Sequence, residues 1–171
     1  TALASGLFRR VIVSTEDEEI GAVARAGGAE VMARPGEFAT DAATVVQVCL
    51  HTLEMLAQAG VRPAAFCCIY ATAAFLEPGD LTASYALLDQ PPAADVVMGV
   101  SGFPIHPYKA LRETGGYLVP EFPEQVGEKS QTYPHFVASN GTFYWGRPEV
   151  FADAPTFYPG RLKGHPLPPE R

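Results

Sequence analysis

Apolar positions along this chain fall into short runs, and amphipathic stretches separate them from one end to the other. Residues 10–14 form a β-branched run and predict a buried strand. Asp17, Glu18 and Glu19 then open a predicted helix, where its dipole favours acids, and Gly27-Gly28 closes it. Residues 29–33 read as a second strand. Asp41 is expected to cap a long helix that sets Val45, Val48, Leu53 and Leu56 on one broad face and ends at Gly60. Residues 65–70 are almost continuously apolar, as in a strand covered on both faces. Asp80 is expected to open a helix through Leu88, and residues 95–100 read as the next strand. Residues 102–135 are rich in Pro, Gly and Glu with only a weak hairpin signal; so long an irregular stretch in a compact domain is unusual and often functional. Residues 136–145 return as a strand or strand pair, and Pro148 suits the first position of a short helix.

Strands alternating with helices predict an α/β fold: a mostly parallel, Rossmann-like sheet with helices on both faces. Ligands in such sheets bind beyond the carboxyl ends of the strands. The polar residues to watch are therefore Ser14 to Asp17, Arg34, Tyr70 to Thr72, and the surroundings of Asn140.

With 171 residues, 47% of them hydrophobic, the chain has material for one domain with a real core. A net charge of -7, with no basic run longer than Arg9-Arg10, argues against a nucleic-acid partner. A small anion is still compatible, because a few placed cations serve one pocket. Cys49, Cys67 and Cys68 make an odd set with neither disulfide nor zinc spacing. Cys67 and Cys68, adjacent on a strand, are expected to face opposite sides as small core residues. No signal peptide and no apolar run of membrane-spanning length is seen, so a cytoplasmic protein without a membrane partner is expected. Both ends read as cut: residues 1–8 look like the end of a helix with Gly6 near its C-cap, and Pro168-Pro169-Glu170-Arg171 follows without a closing element.

Four segments carry a family resemblance. Val13-Ser14-Thr15-Glu16-Asp17-Glu18-Glu19-Ile20 is similar to V-S-T-D-D-E-E-I. Arg34-Pro35-Gly36-Glu37-Phe38-Ala39-Thr40-Asp41 is similar to R-P-x-x-L-A-x-D. Cys67-Cys68-Ile69-Tyr70-Ala71-Thr72-Ala73-Ala74-Phe75 resembles C-C-I-Y-A-T-A-P-F, with Ala74 where Pro is usual. Asn140-Gly141-Thr142-Phe143-Tyr144-Trp145-Gly146 combines N-G-x-x-Y with F-Y-W-G. In register from about Leu3 to Arg171, they resemble the acylneuraminate cytidylyltransferases, and within them the pseudaminic acid branch. The resemblance implies a nucleotide-diphospho-sugar transferase fold and a single nucleotidyltransferase domain over residues 1–171, lacking its first βα unit and C-terminal element. It implies transfer from CTP to an acidic nine-carbon sugar, pseudaminic or sialic acid-like, releasing pyrophosphate for glycan synthesis. It also implies Mg²⁺, a homodimer, and residues 102–135 as a dimerisation and sugar-side insertion. The family's A-R-G-G-S-K loop and its metal-binding D-x-D segment have no counterpart in the sequence. Alternatives are a Kdo or legionaminic acid cytidylyltransferase, or a catalytically incomplete domain that binds a nucleotide sugar or only dimerises.

The resemblance places Arg34, Asp41, Ala43 and Thr44 at the nucleotide. It places Tyr70, Thr72, Lys109, Gln131, Asn140, Phe143 and Tyr144 at the sugar. No residue is assigned a catalytic or metal-binding role. The residues alone leave plainer readings open. Arg34 can pair with Glu37 at the surface, and Asp41 and Thr44 can be ordinary helix-capping residues. Tyr70 can close the core by bonding a loop carbonyl, and Lys109 can be simply solvated. Asn140-Gly141 is a hairpin signal, while Phe143 and Trp145 share one strand face and Tyr144 takes the other, so at least one set belongs to the core. His135 beside Pro134 suits a structural or solvated role. The acids from Glu16 to Glu19 diverge on a helix and do not converge on one ion.

Overall fold

The computed structural model describes residues 1–168. The α/β expectation holds. Strand β1 (Ile12–Thr15) leads through helix α1 (Glu18–Ala26) to β2 (Glu30–Ala33), which pairs with β1 in parallel. Helix α2 (Val45–Gln58) crosses to β3 (Phe66–Ile69), and α3 (Pro78–Ala86) leads to β4 (Val96–Gly102). A small antiparallel hairpin follows, β5 (Leu111–Thr114) and β6 (Tyr117–Pro120). The chain then returns as β7 (Val137–Gly146), turns through α4 (Pro148–Asp153) and ends in β8 (Leu162–Pro166).

The principal sheet has the order β3-β7-β4-β8. Strand β7 runs antiparallel to β3 and β4, while β8 runs parallel to β4, so three of the four strands share one direction. Side chains alternate across the sheet, and each face buries its own core. On one face Val97, Phe143 and Trp145 pack with Leu76, Leu81 and Leu88 from the α3 region. On the other Val96, Met98 and Tyr144 pack with Phe151 and Phe157, against Val46, Leu50 and Leu53 of α2. Cys67 lies against the first core and Cys68 against the second, on opposite faces as their adjacency requires.

Capping chemistry moves two predicted helix starts. Asp17 caps α1, accepting the Ile20 N–H at 2.9 Å. Asp41, however, is not the cap of α2. Thr44 is: its hydroxyl accepts from the Gln47 N–H at 3.3 Å, and the Gln47 side chain accepts the Thr44 N–H at 2.8 Å. This reciprocal pair satisfies two orphan donors at once, so it outcompetes an acid three residues upstream. Asp80 likewise lies inside α3, which starts at Pro78; its carboxylate accepts the Glu77 N–H at 3.0 Å.

Two features escape the hydrophobic pattern. Strand β8 carries Gly164 and Pro166, both weak strand residues, yet it pairs along β4. It lies at the sheet edge, where Pro is tolerated, and its Lys163 ammonium donates to the Leu87 and Gln90 carbonyls at 3.1 and 2.6 Å. Thus a strand precedes Pro168, where no closing element was expected; Pro169, Glu170 and Arg171 lie outside the described residues. The second feature is the turn expected at Asn140-Gly141. It proves to be a bulge within one continuous strand: Met98 faces Tyr144 but Val100 faces Ser139, so β7 spends extra residues there. Gly141 has φ 70, a left-handed value that suits glycine, and it absorbs the excess.

The segment between β4 and β7 is held by rings. His106, Tyr108, Tyr133 and Phe136 have neighbouring centroids within 4.7–5.2 Å of one another, and Phe122 joins at Tyr108. The hairpin β5–β6 projects from this knot, turning at Gly115 and Gly116, both with positive φ.

Candidate functional site

Strands β1 and β3 both border one cleft of about 1070 Å³, and among the described residues neither is hydrogen-bonded to the other. Val48, Cys49, Leu53 and Leu56 of α2 form its floor, and Phe8, Tyr85 and Trp145 close it opposite. Phe8 stacks on Trp145 at 5.2 Å, and the Trp145 indole N–H donates to Ser84 at 2.9 Å, which fixes that wall. At the end of the cleft beyond the carboxyl termini of the strands, polar residues gather: Ser14, Arg34, Thr40, Tyr70 and Thr72, with Ala43.

Arg34 follows β2 directly, and Pro35 holds it out of helical geometry. Its guanidinium reaches back over the end of β1, donating to the Ser14 carbonyl at 2.5 Å and the Ser14 hydroxyl at 3.4 Å. Its carboxylate neighbour is Glu16 at 3.8 Å, rather than Glu37. The guanidinium is thereby oriented at the rim by main chain, with only a loose, half-exposed ion pair competing for it. Thr40 and Ala43 approach from the turn before α2, and the exposed Asp41 and Thr44 flank Ala43 in that turn.

Tyr70 ends β3. Its N–H donates to the Thr142 carbonyl at 2.9 Å, tying the rim to the β7 bulge. The phenol is half-buried and its pKa is pushed up to about 12, first by burial and then by the neighbouring Tyr144 and Cys68. Tyr70 therefore stays a neutral hydroxyl, able to donate. Thr72 is exposed just beyond it. Beneath, Cys49 and Cys68 stand together: the thiol contact pushes Cys49 up and Cys68 down, with burial adding to the rise at Cys49.

The last motif divides between places. Tyr144 is 6% exposed and packs beside Tyr70, ring centroids 5.5 Å apart, so it backs the rim from within the core. Asn140 is committed inside the bulge: its Oδ1 accepts from the Thr142 hydroxyl at 2.7 Å and its Nδ2 donates to Ser101 at 3.3 Å. Phe143 corrects the sequence reading. It is 0% exposed in the core on the other face, and presents no surface to a sugar. Lys109 and Gln131 are exposed on the projecting segment and do not line the cleft. The structure thus brings Arg34, Ala43, Tyr70 and Thr72 to one cleft, and leaves Lys109 and Gln131 apart from it.

Sequence reasoning missed Ser139, Ser101 and Thr142. The two serines and the threonine acquire partners only through the bulge, and no local pattern announces them. Among the described residues no three His, Cys, Asp or Glu side chains converge as a metal site. The described residues by themselves therefore do not fit Mg²⁺. No described helix is long and apolar enough to cross a membrane.

Comparison with known proteins bears on the same cleft. A Helicobacter pylori protein, "Pseudaminic acid cytidylyltransferase and UDP-2,4-diacetamido-2,4,6-trideoxy-beta-L-altropyranose hydrolase", is 28% identical over 153 residues, 89% of this chain and 29% of that protein. The "N-acylneuraminate cytidylyltransferase" of Escherichia coli O18:K1:H7 is 43% identical over 54 residues, 32% of this chain and 13% of that protein. The chain therefore spans less than a third of the length of these curated relatives. A solved CMP:2-keto-3-deoxy-manno-octonic acid synthetase, complexed with CTP, superposes with a TM-score of 0.65. It covers 97% of this chain and 75% of its own at 13% identity, a likeness of fold. A family model for cytidylyltransferases matches residues 1–103, which include β1 to β4 and the polar rim of the cleft, so the chain belongs to the cytidylyltransferase family.

Proposed function

We propose that this chain is the sugar- and base-binding part of a CMP-sugar synthetase acting on an acidic nine-carbon sugar. The observation that carries the proposal is the gathering of Arg34, Ala43, Tyr70 and Thr72 at one cleft rim in a chain of this family. The names of the relatives support it, since each denotes cytidylyl transfer to an acidic sugar.

In this reading the anomeric hydroxyl oxygen of the sugar attacks the α-phosphorus of CTP. The new P–O bond forms as the bond to the bridging oxygen of the β-phosphate breaks. Pyrophosphate leaves with that electron pair, and the hydroxyl proton passes to solvent. The protein contributes alignment and charge placement, without a covalent intermediate. Arg34, held by Ser14, faces nucleotide charge; Ala43 and the turn before α2 face the base; Tyr70 and Thr72 donate to sugar oxygens.

The projecting segment, with Ile105, Leu111, Tyr117, Leu118 and Val126 exposed, pairs in this proposal with a second copy and carries Lys109 and Gln131 toward that copy's sugar. Sedimentation showing only monomer at micromolar concentration would remove this part.

The decisive assay is pyrophosphate release by the full-length gene product with CTP and a panel of pseudaminic, sialic, legionaminic and Kdo sugars. Release with one of the nine-carbon acids, and the matching CMP-sugar by mass spectrometry, is expected. Release with Kdo alone favours the eight-carbon alternative. CTP binding without release with any sugar favours a catalytically incomplete binding domain.

A further inference from the structure

Ser139 and Tyr144 are five positions apart, and an uninterrupted strand would send them to opposite faces. The bulge resets this parity. Ser139 pairs with Val100 and Tyr144 with Met98, two residues that share the α2-side core. As a result the Ser139 hydroxyl lies 2.7 Å from the Tyr144 hydroxyl. Tyr144 has little freedom otherwise: its ring stacks on Phe157 at 4.4 Å and meets Tyr70 at 5.5 Å. Tyr70 in turn lines the cleft. The Ser139 and Tyr144 hydroxyls are thus joined at the bulge, and the Tyr144 ring carries that anchorage to the Tyr70 ring at the cleft rim.

We propose that Ser139 is a positioning residue for the acidic sugar, acting through Tyr144 to present the Tyr70 hydroxyl as a donor to a ligand oxygen. The proposal rests on the cytidylyltransferase reading above. Each hydroxyl has one proton to give and lone pairs to receive. A carboxylate or hydroxyl oxygen in the cleft accepts from Tyr70. Ser139 holds the Tyr144 hydroxyl, and the Tyr144 ring braces Tyr70 in the place from which it donates. Without Ser139 the Tyr144 oxygen loses its partner, and the ring that braces Tyr70 is held less firmly. The inner tyrosine is too buried to find water in its place.

The test is steady-state kinetics of the full-length gene product and its Ser139→Ala and Ser139→Thr variants, varying CTP and sugar separately. Ser139→Ala is expected to raise KM for the acidic sugar about tenfold, the scale of one hydrogen bond. KM for CTP and kcat should stay within about twofold, and Ser139→Thr, which keeps the hydroxyl, should restore the sugar KM. If Ser139→Ala does not fold, Ser139→Cys, a weaker donor of similar size, should raise the sugar KM several-fold. Equal changes in both KM values, no change in either, or failure of the threonine to rescue would overturn the proposal. An inactive wild type would sink the cytidylyltransferase reading itself, whereas an active enzyme indifferent to Ser139 sinks this inference alone.

Discussion

The principal sheet and the projecting hairpin are built from similar residues on opposite terms. In β4 and β7 a run of side chains is almost wholly enclosed, with Val97 and Phe143 at 0% exposure. In β5 and β6 every residue is exposed, including Leu118 at 66% and Tyr117 at 78%. Apolar character alone therefore does not say where the core is. Layers on both sides make the sheet self-sufficient, while the hairpin, held by a ring knot at its base, leaves its apolar side chains outside.

The sharpest way to test this contrast is to truncate one residue in each region. Phe143→Ala should cost roughly 3–5 kcal/mol in urea unfolding, because a fully enclosed ring leaves a cavity. Leu118→Ser should stay within about 0.5 kcal/mol and, if the hairpin pairs with a second copy, should shift the sedimentation profile toward monomer. Comparable losses at both positions would erase the distinction. A smaller effect is expected where the sheet is irregular: Gly141→Ala forces φ 70 on a residue with a Cβ, at about 1–2 kcal/mol. Smaller still is the cap of α2. Thr44→Ala should cost about 1 kcal/mol, but Asp41→Ala should fall within about 0.5 kcal/mol; the reverse order would reinstate Asp41 as the cap.

The finest probe is pH. The phenol of Tyr70 ionises at about 12 in the folded chain, against about 10 in an unfolded one. A raised value means that folding is fully favoured below the unfolded pKa and loses that share as pH climbs from about 10 toward about 12. Tyr70→Phe should flatten the alkaline limb of the thermal unfolding midpoint. Asp95 gives the opposite sign. Its bidentate contact with Arg161 holds its carboxyl below the usual range, so that contribution exists above the unfolded value near 4 and fades as pH falls below it. Asp95→Asn should blunt the acid limb.

Much of the sheet was legible because enclosed strands need apolar runs: residues 65–70 and 95–100 announce β3 and β4 within a residue or two. The rim was legible for a related reason, since polar residues directly after such runs must lie at the strand ends. Strand β8 was not, because an edge strand satisfied by Lys163 and by pairing with β4 needs little apolar content. Asn140-Gly141 misled because a hairpin and a bulge ask the same of a glycine, and only the partner strand decides between them. Phe143 was drawn into the sugar site by its neighbours in a motif, whereas the alternation that buries it was already visible beside Trp145.

The bulge at Gly141 has a consequence for how the sheet breathes. Met98 faces Tyr144 and Val100 faces Ser139, so the main-chain amides of β7 between these positions fall outside the regular ladder with β4. They should exchange deuterium sooner than the β7 amides on either side, so local opening of the central strand should begin at the bulge.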